Sequence, residues 1–339
     1  MNTVRLKENF AIDLGKLVAT FFIIMIHCQP IAGEVPLVIK GGIWRLGVPF
    51  FLVASGFFLS AKGWSWEMVK SYTIRMVRVY LVWCAIYFPI YIQAWIRDDR
   101  NPFLRVVLFL RQFLIGSLWG VLWFFPALIC AVLLFFGIYR WGQLSERQLL
   151  WLGIGLYFVG TLGNMWFPIA KNIPIIGKMF EVMVLLFGYT RNGLFEGLPC
   201  IIFGYLLFKH QDVYQHSKFI GLLGIGLLLL VAEPLLINQF FYLDSFDMGV
   251  GIIISSISLV AILNHVGKTW SCGEKQGKVI RKILLPMLLV HHLVMEIIKG
   301  VPVGSFMRFL LVVGTSAGFA IGLTYFEKKR FWSWLQYFH

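Results

Sequence analysis

The sequence predicts an all-α fold: a polytopic membrane bundle of about ten transmembrane helices, forming a single domain over 1–339. Three observations carry this. Hydrophobic residues make up 59% of the chain and charged residues 14%, with a mean hydropathy of +0.80. Soluble domains carry about a quarter charged residues, so an ordinary soluble fold is excluded. The apolar residues gather into about ten runs near 20 residues long, the length that crosses a bilayer core.

Taken in order, the spans are expected near 10–30, 43–61, 79–97, 119–139 and 149–168, then near 192–208, 218–238, 248–266, 281–299 and 305–326. Loops are short apart from 98–118, 168–191 and 267–280. The segment FLRVVLFLRQFLIG at 103–116 is too short and too Arg-marked to span, and reads as an amphipathic helix along the outer interface. Trp64, Trp66, Trp119, Trp141, Trp332 and Trp334 stand near span ends, as interfacial anchors do. A basic start followed by an apolar run without a small-residue cleavage site reads as an uncleaved first helix.

The net charge of +14 does not indicate nucleic acid, because the basic residues lie at the ends of apolar runs rather than along one face or in a tail. Counting alternate loops places 18 of the 30 Lys and Arg on one side and 11 on the other, with Lys16 inside the first span. The positive-inside rule puts both termini in the cytoplasm. The five cysteines show no CxxC or other metal-ligand spacing, and most lie within apolar runs, so no disulfide framework is expected.

The first span, AIDLGKLVATFFIIMIHC, holds Lys16 and His27. Eleven residues return to the same helix face, roughly 20° off and roughly 16 Å along. A charge near the bilayer centre costs on the order of 2.5–3.5 kcal/mol on the insertion scale. Two such residues on one stripe suggest the wall of an intramembrane site. Asp13, one turn before Lys16, offers local neutralisation. Glu34 follows His27 by seven residues and reaches its face only if the helix survives Pro30.

Arg45 opens the second span, IWRLGVPFFLVASGFFLS, where snorkelling to the headgroups is the plain alternative. Pro49 and Gly56 suggest a bend and a close helix contact. Arg75 and Arg78, in TIRMVRVYLVW, share a face one turn apart at the cytoplasmic edge. Positive-inside bias explains one such arginine; an inward-facing pair would suit the phosphates of a nucleotide-like donor. Glu196, Glu233 and Glu296 are further intramembrane suspects, the last sharing a face with His292. His291 and His292 lack the further ligands a metal would need, so no metal is expected. Walker and Rossmann signatures are absent.

Several of these segments resemble the family-three integral-membrane acyltransferases. They are IDLGK followed by ten residues and His27, then RLGVPFFLVASGF, RMVR, LWFFPAL at 122–128, TRNGLFEGLPCIIFGYLL at 190–207 and LLVHH. The resemblance runs over essentially the whole chain, with one departure: Lys16 stands where many members carry arginine. It implies a protein of the bacterial cytoplasmic membrane that moves an acyl group, most often acetyl, from acyl-CoA to a hydroxyl. The donor is a substrate and no permanently bound cofactor is implied. The acceptor class it implies is a surface glycan or its lipid-linked precursor. In that frame His27 is the general base or a transient acyl carrier, Lys16 or Arg45 stabilises the oxyanion, and Arg75 and Arg78 hold the CoA phosphates.

A transporter of ten-helix type is the rival from another class, because Pro126, Pro234, Pro286 and buried charges also suit a carrier. That reading expects an inverted repeat, which the sequence does not display, and has no special use for the Lys16–His27 register.

Overall fold

The first apolar run folds as α1 (Phe10–Cys28). The Asn9 side chain accepts the Ile12 N–H at its start, and Gln29, at φ 44°, closes it in the left-handed conformation. This is a computed structural model describing residues 9–31, 36, 39, 41–97, 99–243, 245–270 and 273–327. Glu34 therefore lies outside the described residues. A 3₁₀ turn, Ile43–Leu46, carries Arg45 into α2 (Gly47–Lys62), and Ser65 caps α3 (Trp66–Ile96). The helix α4 (Pro102–Leu114) follows, the amphipathic segment expected at 103–116, and none of its residues is buried.

α5 (Phe124–Gly137) ends in a π-turn, and a capping box built by Ser145 and Gln148 starts α6 (Glu146–Leu162). The stretch 168–191, expected as a long loop, contains α7 (Pro174–Phe187). The reason is local: Pro174 sits at the first helical turn, where its missing N–H costs nothing, and Gly188 at φ 81° stops the helix. A π-turn at Gly193–Gly197 leads into α8 (Leu198–Lys209). The chain closes with α9 (His216–Phe240), α10 (Val250–Thr269), α11 (Glu274–Ile297) and α12 (Ser305–Phe326), and no strand forms among the described residues.

Among the described residues seven helical stretches, in α1, α2 with its 3₁₀ turn, α3, α5, α9, α10 and α12, are long and apolar enough to cross a membrane. The expected spans at 149–168, 192–208 and 281–299 correspond to α6, α8 and α11. Of these, α6 has 17 residues, α8 has 12, and α11 begins with a charged half. Large apolar side chains such as Leu228, Leu236, Phe306 and Ile321 point outward, as a lipid-facing surface requires.

Without water to drive helices together, close backbone contact must hold such a bundle, and small residues permit it. α2 and α8 cross at Gly56, where an added Cβ would lie 2.6 Å from the Ile201 carbonyl oxygen. α9 and α10 meet at Gly226, where it would lie 2.8 Å from the Ser255 amide nitrogen. Buried Trp83, Tyr87, Phe57 and Phe135 fill the space between.

Candidate active site

α1 and α11 run side by side in the same direction. Near their starts Arg281 is ion-paired with Asp13. Further along, the His27 ring meets His291 and His292, at centroid separations of 5.4 Å and 4.1 Å. A cavity of about 230 Å³ follows this seam, and its ionisable lining is Lys16, His27, Arg45, Arg191, Glu196, Asp247 and Arg281. Lys16 and His27, eleven residues apart on α1, both line it. Lys16 Nζ lies 4.7 Å from the centre of the Phe58 ring, a cation–π contact across from α2.

Arg45 does not snorkel outward. It pairs with Asp247 from the loop before α10, and Arg191 binds the other Asp247 oxygen at 2.8 Å. Burial alone would raise the Asp247 carboxyl, but the two arginines outweigh it and hold it below the ordinary carboxylate range. The Arg191 guanidinium also lies 4.5 Å from the centre of the Trp123 ring.

Glu196 enters from the π-turn before α8, a device that often marks functional positions because it re-aims a side chain. The Asn192 side chain starts that turn by accepting the Leu194 and Phe195 N–H groups at 2.9 Å and 3.1 Å. Glu196 is buried, and its Oε2 has no hydrogen-bond partner.

The His291–His292 pair sits where α11 is opened by an inserted side chain. The Tyr87 hydroxyl donates to the Leu289 carbonyl at 2.7 Å and accepts the Leu293 N–H at 3.1 Å. It stands between the two groups a regular turn would pair, one of the known causes of local helix distortion. His291 Nδ1 is 2.5 Å from the Leu288 carbonyl, so Nδ1 donates and Nε2 keeps its lone pair.

A second cavity, of about 540 Å³, adjoins the first. Gly120, Trp123 and Arg191 line both. Its other polar walls are Arg111, Gln112, Ser117, Glu181 and Tyr189, contributed by α4, α7 and their loops. Arg111 donates to the Leu185 carbonyl at 2.8 Å and so ties α4 to the end of α7.

Other expected residues fall elsewhere. Arg75 and Arg78 are exposed on α3 and do not line the cavity; Arg75 rests 5.9 Å from the Tyr72 ring. At that end of the cavity Arg281 supplies the guanidinium. Asp13 is engaged by Arg281, and Glu296 lies 3.7 Å from Lys299. Glu233 is a structural group, accepting from Trp166 Nε1 and the Val250 and Gly251 amides. Asp247, Arg191 and Arg281 gave no sign in the sequence beyond loop charge. Arg191 and Glu196 lie in the segment TRNGLFEGLPC that resembles the family, and Glu196 is one of the intramembrane acids expected from the sequence.

Comparison with known proteins gives two curated relatives and a family. Over 317 residues, 89% of this chain and 44% of the relative, it is 25% identical to a protein named amino-acid racemase from Enterococcus faecalis. Over 274 residues, 78% of this chain and 38% of the relative, it is 28% identical to serine/alanine racemase from Enterococcus gallinarum. The chain therefore spans less than half the length of either. No solved structure matches it. The model of the family-three acyltransferases, described as an acyltransferase domain, matches residues 9–326, nearly the whole chain, and this helical membrane protein belongs to that family.

Proposed function

We propose that the protein is a membrane O-acyltransferase that moves an acetyl, or another acyl, group from cytoplasmic acyl-CoA to a hydroxyl of a surface glycan or lipid-linked precursor. In this reading ten helices cross the bacterial cytoplasmic membrane, α6, α8 and α11 among them, and both termini are cytoplasmic. The observation that carries it is the polar cavity in an apolar bundle, with Lys16 and His27 on one wall.

The chemistry follows from the residue types. His27 accepts the proton of the acceptor hydroxyl as its oxygen attacks the thioester carbonyl. The tetrahedral intermediate then expels the CoA thiolate, which takes the proton back from His27. An imidazole suits both steps because it exchanges a proton near neutral pH. About 16 Å of helix rise separates Lys16 from His27, too far for both to touch one reacting carbon. Lys16 and Arg281 are accordingly assigned to the donor's anionic portion, and Arg45 with Arg191 to the oxyanion. Arg75 and Arg78 would meet the outer part of the nucleotide; Arg75→Ala or Arg78→Ala should then weaken donor binding with acceptor preference unchanged. The adjoining cavity, with hydrogen-bonding groups and the Trp123 and Tyr189 rings, suits a hydroxylated acceptor.

The test is purified protein with radiolabelled acetyl-CoA and an extract of membrane glycolipids. Label should pass to the extract, and His27→Ala should reduce transfer by at least about 10²-fold, the ordinary worth of a general base. Retained transfer in His27→Ala ends the base assignment. A second reading, a carrier for a small amino acid, is favoured by the racemase names of the two relatives. Saturable uptake of labelled serine or alanine into proteoliposomes, without consumption of acetyl-CoA, would select it.

A further inference from the structure

We propose that His27, His291 and His292 form a binding site for a borderline-soft divalent cation such as Zn²⁺, and that an occupied site withdraws His27 from catalysis. The consequence for catalysis rests on the acyltransferase reading above; the binding itself does not.

One ring nitrogen from each of the three histidines lies within 4.8 Å of the other two, on two helices packed side by side. A tetrahedral Zn²⁺ with bonds near 2.05 Å needs ligand nitrogens about 3.4 Å apart, so modest ring rotations close the set. Two further observations point to a ligand. The Nε2 atoms of His291 and His292 are buried without any hydrogen-bond partner, and His291 is fully buried. Orphaned buried polar atoms of this kind cost stability unless something fills them. The Nδ1–H of His291 is also held by the Leu288 carbonyl, the outer-shell bond that fixes a metal-ligating imidazole in its ligating tautomer.

Space and charge are compatible with an ion. An added Cβ at Gly120 would meet His292 Cε1 at 3.9 Å, so the glycine leaves room above the ring next to both cavities. Three imidazoles leave a fourth position toward the cavity for water. Arg45 and Arg191 are positive, but the Asp247 carboxylate lines the same cavity and pairs with both. The sequence had set a metal aside because adjacent histidines lacked a third ligand. The fold supplies one from a helix more than 260 residues earlier.

The binding step exchanges water on Zn²⁺ for neutral imidazole nitrogens, so no proton need leave. An occupied His27 has no lone pair with which to take the acceptor's proton.

The experiment uses the full chain in detergent, stripped with EDTA and titrated with Zn²⁺ against a chromophoric chelator. One ion should bind per chain. His292→Ala and His291→Ala should each weaken it at least tenfold, with His216→Ala, at the separate stacked His216–His265 pair, as the control that leaves it unchanged. Co²⁺ bound to the wild-type protein should show the intense visible bands of a tetrahedral site, which keeps the test valid if a variant misfolds. Absence of stoichiometric binding, equal affinity in His292→Ala, or a weak octahedral Co²⁺ spectrum would each overturn the site. Zn²⁺ should also abolish acetyl transfer, with EDTA restoring it. Tight binding that leaves transfer intact would keep the site and sink the base assignment. No binding, together with inactive His27→Ala, would do the reverse.

Discussion

Two buried carboxylates in this bundle teach opposite lessons. Glu233, beside Pro234 in α9, accepts from Trp166 Nε1 at 3.0 Å, the Val250 amide at 3.1 Å and the Gly251 amide at 2.7 Å. The last two are unpaired first-turn amides of α10, so the carboxylate caps that helix and faces the positive end of its dipole. Glu196 is buried as deeply, yet its Oε2 bonds to nothing. In a medium where an unmet polar group is costly, a fully partnered charge is explained by folding alone. One left open needs another reason. Lys16, with a ring contact to Phe58, and the histidine Nε2 atoms belong to the second group, and they gather at one cavity.

Replacement can break that contrast. Glu196→Gln removes a charge but retains shape, and should reduce acyl transfer at least about tenfold, the loss expected when a site group depends on its charge. Its melting temperature should stay at or above the parent's, because an amide is cheaper than a carboxylate to bury. Activity assays and thermal melts on one preparation check both halves. A large drop in melting temperature with full activity would place Glu196 alongside Glu233. Glu233→Ala should show the mirror image: about 1–3 kcal/mol of stability lost from amides left unpaired, with transfer per folded molecule unchanged. Unfolding in denaturant would measure it, and unaltered stability would remove Glu233 from its capping role.

What could be read from the sequence follows the same division. The helices and Lys16 with His27 were legible because apolar run length and helical periodicity are local properties of the chain. Arg45 was legible as a residue but not as a contact, since its partner Asp247 is 202 positions away. Arg281 and Arg191 look like loop charges in a linear count, and only the packing of α11 on α1 and the π-turn before α8 bring them inward. Arg75 and Arg78 are the converse: their one-turn spacing suggested a phosphate grip, while the structure leaves them exposed. The helix α7 lies in a stretch expected as a loop, and its limits are local ones, Pro174 in the first turn and Gly188 after the last.

The smallest expected effect lies at the bundle's rim and marks where the contrast fades. Glu146, at the start of α6, bonds Lys209 Nζ at 2.5 Å and His210 Nε2 at 2.6 Å, all three well exposed. Lys209 first, then His210, holds the Glu146 carboxyl below its ordinary value of 4.5. A carboxyl lowered by folding adds stability that is present above the unfolded-state value and fades as pH falls through the folded one. Glu146→Gln should therefore melt slightly below the parent at pH 7, and the two curves should converge as the medium is acidified through and below the lowered range of the folded carboxyl. High salt should shrink the gap as well, since solvent and ions screen exposed pairs. A gap that persisted in acid or in molar salt would mean that Glu146 acts through packing of the α6–α8 contact rather than through charge.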